Sequence, residues 1–311
     1  MIRLRPALAE IPIQEFKMAE KKTALWFGAS IGVVLLGALV AWAGSQNGVA
    51  VGNLPVLALI VCYIFVVQWL AFIPSYLGRS ERYYDLTGSF TYVSAIVLAV
   101  ALSGATNGRS IMLLVLVLIW AGRLGPFLFR RVRRAGKDDR FDEIKRSFSR
   151  LFLTWTLQGL WVSLTLGAAL AAVTSTRTKG LDVFAFVGLV VWVVGFALEA
   201  IADLQKSRFR TDPANKGSFI TSGLWAISRH PNYFGEITLW VGIAIIALPA
   251  LRGWQYATLI SPVFVYLLIT RVSGVPLLEK KADATWGGQE DYEAYKRRTP
   301  VLVPFLGRKQ C

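Results

Sequence analysis

The stretch Asp203–Glu236, DLQKSRFRTDPANKGSFITSGLWAISRHPNYFGE, concentrates the side chains best suited to chemistry. It holds the single histidine of the chain, His230, and five basic residues, Lys206, Arg208, Arg210, Lys216 and Arg229, with acids at both ends. Pro231 disfavours helix at His230, so the pair marks a sharp helix start. Asn232, Tyr233 and Glu236 then fall in the first turn or so of an apolar helix. Backbone N–H groups at such a start, with Arg229 beside them, suit a phosphate group. The chemistry this points to is the seating of a phosphorylated cofactor; the alternative is that His230 only shapes the helix start.

Further ionisable residues stand within or at the ends of apolar segments: Asp85, Arg123, Glu199, Asp203, Glu236 and Arg271. Charge is expensive in hydrocarbon, so each is a candidate for function. Glu199 and Asp203 are four apart and share one helical face. Asp85, Glu236 and Arg271 also suit helix ends, where acids at an N-terminus favour the macrodipole. Clustered on one side beside a loop rich in Arg, Asn and Tyr, the set describes a polar chamber open to that side, not a channel. A lone histidine cannot build a histidine-rich metal centre, and HExxH, CxxC, GxGxxG and GxxxxGK[ST] do not occur. Metal, Rossmann-type and Walker-type sites are therefore not expected.

The elements that must position these residues are membrane helices. Apolar residues make up 55% of the chain and mean hydropathy is +0.51, and about 20 apolar residues span a bilayer. The pattern predicts an all-α polytopic bundle with spans at 24–44, 55–75, 84–103, 111–129, 151–173, 183–203, 236–250 and 255–271. Span seven is short and ends at Pro249, which suggests a hairpin with span eight, tilted or enclosed by neighbours. Residues 1–23 read as a charged, disordered extension with Met18 as an alternative start, and 24–311 as one transmembrane domain. Cys62 and Cys311 supply no disulfide framework. A formal net charge of +15 does not imply nucleic acid, because basic residues collect in cytoplasmic segments. With the N-terminus inside, those segments hold 29 Lys and Arg against 4 in the opposite loops. Both termini and the 203–236 stretch are thus expected in the cytoplasm. The charged loop 130–150 suits either contact with anionic headgroups or a part in the cofactor site.

Three motifs, ADLQKSRFR, GLWAISRHPNYFGEI and RVSGVPLLEKK with its YEAYKRRTPVLVPF tail, carry a resemblance. Over about residues 180–307 the chain resembles the steroid 5α-reductase superfamily, in its bacterial DUF1295-type branch. The resemblance implies a seven-helix core with one added N-terminal span, a bacterial inner-membrane location, and an NADPH-dependent enzyme. That enzyme would reduce the carbon–carbon double bond of an enone in a steroid- or lipid-like substrate. Carried over by position, Asp203, Arg210, Asn232, Glu236 and Arg271 are implied cofactor contacts, and Arg208, Arg229, His230 and Tyr233 join them from the loop. Two departures stand out. Glu199 replaces an amide of the steroid enzymes, and SGVPLLE replaces their histidine cluster after the last span. The substrate-side acid and tyrosine have Tyr84 and Asp85, in ERYYDLTGSF, as candidates, although Asp85 is also a candidate partner for Arg123.

Enone reduction needs a hydride donor, a group that polarises the carbonyl and a proton source; a tyrosine paired with an acid can stabilise a developing enolate. Two other readings remain open. Isoprenylcysteine carboxyl methyltransferases share an RHP-Y-type helix start and a similar tail but use S-adenosylmethionine; the third reading is a non-catalytic lipid- or sterol-binding protein. The charge split carries a test of its own. An Asn215→Cys variant is expected to react with a membrane-impermeant thiol reagent only from the cytoplasmic side; labelling from the opposite side would overturn the topology.

Overall fold

The computed structural model describes residues 13–135 and 141–306, the side chains of 13–22 and 134–135 excepted. Among the described residues eight helical segments are long and apolar enough to cross a membrane, and the chain is a multi-pass, all-α integral membrane protein. In order they are α1 (Ile13–Ser45), α2 (Val56–Leu77), α3 (Tyr84–Ser103), α4 (Gly108–Ala135), α5 (Phe148–Thr174), α6 (Val183–Thr211), α7 (Pro231–Ala247) and a composite eighth span. That last span runs as a 3-10 helix (Gly253–Ile260), α8 (Ser261–Leu267), a π-helical turn (Leu268–Val272) and α9 (Gly274–Trp286). Helix α10 (Glu290–Arg298) follows, and a two-stranded ribbon, Ala50–Val51 with Leu54–Pro55, joins α1 to α2.

The spans fall where hydropathy predicts them, but several helices run further. Helix α6 continues through LQKSRFRT to Thr211, and α4 through RRVRRA to Ala135. Hydropathy marks only the lipid-facing part of a helix, whereas Leu, Gln, Lys and Arg continue it into water. Helix α7 begins at Pro231, five residues before the predicted boundary, because proline suits the first helical position. Helix α1 takes in residues 13–22 of the expected N-terminal extension, and residues 1–12 lie outside the described residues.

Helix α5 is the most enclosed span and packs against α1, α2, α3 and α7. The tightest seam joins α6 to α7 through four glycines. A Cβ on Gly235 would lie 2.5 Å from the Glu199 nitrogen, one on Gly242 2.7 Å from the Trp192 nitrogen, and one on Gly188 2.7 Å from the Gly242 oxygen. A Cβ on Gly195 would strike the Leu239 nitrogen. The two backbones therefore touch along the seam, the arrangement small residues permit between membrane helices. At the far end of this pair the buried Arg109 donates to Ile246 O and to Gly180 O at 2.9 Å and pairs with Asp182 at 2.7 Å. That guanidinium holds the Asp182 carboxyl below its usual range. It ties the starts of α4 and α6 to the end of α7.

Gly235→Ala must part this seam, so it is expected to cost about 1–3 kcal/mol or more. The control Gly122→Ala, whose Cβ would meet nothing within 4 Å, should be neutral. Thermal midpoints in detergent decide it; equal midpoints for the two variants would refute the backbone-contact seam.

Candidate functional site

Next to the glycine seam, Arg123 of α4 reaches into α6. Its Nη1 pairs with Glu199 Oε1 at 2.6 Å and its Nη2 with Asp203 Oδ2. The i, i+4 spacing of the two acids on one helix face makes this fork possible. Trp120, one turn earlier on α4, donates its indole N–H to Glu199 Oε2 at 3.2 Å. From α7, Asn232 Nδ2 donates to Asp203 Oδ1 at 3.2 Å. Glu199 is 2% exposed and Asp203 7%, so without Arg123 two carboxylates would stay buried unpaired, a situation that costs about 3–5 kcal/mol. Glu236, half-buried one turn beyond Asn232, lies within electrostatic reach of Asp203, Glu199 and Arg123. Its carboxylate makes no hydrogen bond or ion pair among the described residues.

The structure separates the basic residues of the 203–236 stretch into two sets. Arg229 is committed: Nη2 pairs with Glu279 Oε2 at 2.9 Å, Nη1 donates to Lys296 O at 3.3 Å, and its backbone N–H donates to Pro300 O at 2.9 Å. His230, 4% exposed, meets Glu279 Oε1 through Nε2 at 2.8 Å and stacks on Tyr233 with ring centroids 5.7 Å apart. Lys206, Arg208 and Arg210 on the last turns of α6, and Arg271 on the π turn, pair with no carboxylate among the described residues. Lys206 instead lies 4.2 Å from the centroid of the Trp225 ring. Here, at the C-terminal end of α6, is an excess of positive charge among the described residues.

Tyr84 and Asp85 stand apart from the Arg123 fork. The Tyr84 hydroxyl donates to Thr154 O at 3.1 Å, and its ring packs edge-on against Phe141 and Trp155 at 5.0 Å. Asp85 has Arg131 at 4.0 Å, while Arg123 takes Glu199 and Asp203. Residues with no specific role assigned from sequence complete the site: Lys206, Trp225, Trp120 and above all Glu279, which joins Arg229 to His230. In the sequence Glu279 reads as one of several charges in LLEKK, and only the return of α9 to the loop reveals its role.

A family model described as a protein of unknown function, DUF1295, matches residues 71–299. The chain belongs to this family. The match reaches further toward the N-terminus than the motif-bearing half. Two curated relatives are similar over shorter stretches. The Delta(14)-sterol reductase of Methylotuvimicrobium alcaliphilum is 30% identical over 148 residues, 42% of this chain and 32% of that protein. A probable O-methyltransferase, ustE, of Ustilaginoidea virens is 32% identical over 94 residues, 30% of this chain and 31% of that protein. The chain thus spans about a third of the length of either relative. The sterol reductase fits the resemblance to the steroid 5α-reductase-like superfamily.

Burial holds the His230 imidazole below its ordinary basicity, and the bond to Glu279 opposes this only in part. The folded protein therefore binds fewer protons at this group than the unfolded chain does. The stability this contributes is present above about pH 6.5, the unfolded value, and is lost as pH falls through the lower folded value. In His230→Gln, whose amide can still donate to Glu279, the thermal midpoint should decline less steeply below about pH 6.5 than in the parent; parallel declines would refute this assignment.

Proposed function

We propose that the protein is an oxidoreductase that uses NADPH to reduce the carbon–carbon double bond of an enone in a steroid- or lipid-like substrate drawn from the membrane. The observation that carries the reading is the adjoining of two unlike sets. One is the buried Arg123–Glu199–Asp203–Asn232 cluster, and the other is the group of cations on α6 and the π turn without acidic partners among the described residues. The cations fit the phosphates of a dinucleotide. Asn232, with its N–H given to Asp203, keeps an amide oxygen free to accept, and Glu236 beside it keeps an open carboxylate. Arg208, Arg210 and Arg271 would hold phosphate groups. Asp203, Asn232 and Glu236 would orient the ring end, while Arg229, His230 and Tyr233 shape the wall through Glu279. NADPH, when bound, supplies the hydride. The residues' own work is to orient, to exclude water and to complement charge in a low-dielectric pocket. Tyr84 and Asp85 belong to this reading as the substrate-side pair if the Tyr84 hydroxyl leaves Thr154 O on substrate binding.

The similarity to an O-methyltransferase favours a second reading, a membrane methyltransferase using S-adenosylmethionine. That ligand carries no phosphate, so it leaves the cations on α6 unexplained. A non-catalytic lipid- or sterol-binding protein would leave the buried ion cluster with a structural role alone. With both termini and the loop in the cytoplasm, as the charge split indicates, the cluster faces the compartment that holds NADPH.

Thermal shift in detergent with NADPH, NADH and S-adenosylmethionine tests these readings together. NADPH is expected to stabilise the parent most, and Asn232→Ala and Glu236→Gln to remove that shift while still inserting and folding. A structural role for Asn232 predicts instead a stability loss of about 1.5–3 kcal/mol, the worth of a bond to a charged group, with the NADPH shift unchanged. Equal shifts from NADPH and NADH would show that the extra phosphate is not read.

A further inference from the structure

Helix α4 turns one face outward. Ile111, Val115, Ile119, Gly122, Pro126 and Arg130 follow at steps of three or four residues, so they share one side of the helix, and all six are exposed. On a membrane-spanning helix this side meets lipid. The stripe begins on aliphatic side chains and ends on a guanidinium. Arg130 Nε donates to Pro126 O at 3.1 Å, which holds the guanidinium against the helix and leaves both Nη groups without a partner among the described residues. A charge at a lipid-facing position is costly unless it is paired. Next to it the stripe is hollow. A Cβ on Gly122 would meet nothing within 4 Å, between the larger Ile119 and Arg130.

A second guanidinium flanks the same place. Arg82, just before α3, lies 5.8 Å from the centroid of the Tyr83 ring and 5.9 Å from that of Phe129, the chain neighbour of Arg130. The two rings stack with centroids 6.0 Å apart and so join the start of α3 to the end of α4. Cation–π contact fixes a guanidinium without using its N–H groups. Tyr83 is exposed, and a tyrosine exposed at the end of a span suits the membrane–water interface. The acids of this end are engaged elsewhere: Asp85 has Arg131 at 4.0 Å, and Glu81 pairs with Lys145 at 3.1 Å. Arg82 and Arg130, with the exposed Arg79 and Arg133 three residues outside each, pair with no carboxylate among the described residues.

We propose that Arg82 and Arg130, set around Phe129, bind the phosphate of an anionic membrane phospholipid, with one acyl chain laid along the hollow at Gly122 and Pro126. Three observations choose this occupant. Unpaired cations call for an anion, and guanidinium forks match phosphate oxygens in pairs. The apolar stripe runs into Arg130 without a break, so the anion must carry a hydrocarbon tail, which free phosphate lacks. The stacked Tyr83 and Phe129 mark the depth of lipid headgroups. None of these residues belongs to the Arg123 cluster or to the cations of α6, so the proposal is independent of the reductase reading.

The test is native mass spectrometry of the full chain, released from neutral detergent after titration with dioleoyl phosphatidylglycerol or dioleoyl phosphatidylcholine. The parent is expected to hold one phosphatidylglycerol at a concentration about tenfold or more below that needed for phosphatidylcholine, the worth of one hydrogen bond to a charged group. Arg82→Gln and Arg130→Gln should each remove most of that preference. Arg297→Gln, which takes one exposed charge from α10, should keep it. Gly122→Leu should fill the hollow and weaken both lipids alike. Thermal midpoints of all four variants in lipid-free detergent should match the parent, which separates lost binding from lost folding. The proposal falls if the parent binds the two lipids equally or binds neither, or if the preference survives both substitutions at Arg82 and Arg130. It falls too if Arg297→Gln lowers the preference as much, or if Gly122→Leu changes neither affinity. Displacement of the lipid by excess inorganic phosphate would show a free-anion site and overturn the lipid assignment.

Discussion

Backbone contact between α6 and α7 is the constraint on which the site depends. Ordinary helix pairs keep their axes about 8–10 Å apart; here backbone meets backbone, and the same seam carries Asn232 of α7 to Asp203 of α6. Four glycines remove the Cβ atoms that would hold the helices apart, and the closest of them, Gly195 and Gly235, flank the turn of Glu199. Each glycine costs about 0.5–1 kcal/mol of helix stability relative to alanine, and the dispersion gained along the seam offsets this. Polar groups from two helices thus share one small volume inside an otherwise apolar bundle.

Charge is arranged around that volume in layers. At its centre one guanidinium serves two carboxylates, which leaves a negative excess that Trp120 and Asn232 moderate by donating hydrogen bonds. One to two turns further along α6, its cations pair with no carboxylate among the described residues. Glu279 neutralises Arg229 and hydrogen-bonds the His230 ring, so these two brace the loop instead of adding to the positive field. A ligand spanning the layers would present anionic groups to the outer and hydrogen-bonding groups to the inner.

The number of spans and their apolar limits were legible because hydrocarbon demands about 20 apolar residues whatever the partners. Helix extents beyond the bilayer were not, since LQKSRFRT is equally good as loop or helix until packing decides. Within the site, Glu199 and Asp203 could be placed on one face from spacing alone. That Arg123 serves both, or that Glu279 bridges Arg229 and His230, required contacts between residues 49–80 positions apart, which no local pattern encodes.

The loop before α7 owes its shape to segments far downstream. Arg229 N–H donates to Pro300 O, Ser228 Oγ to Leu302 O, and Phe305 N–H to Ile227 O, while the Tyr295 hydroxyl donates to Trp225 O. These partners come from residues 295–305, which follow the last of the eight described spans. A nascent or truncated chain ending before them would therefore be membrane-inserted yet hold Trp225–Arg229 without these bonds. The loop that carries the site is thus closed by the segment after the last span, so a C-terminal truncation would loosen it without removing a membrane helix.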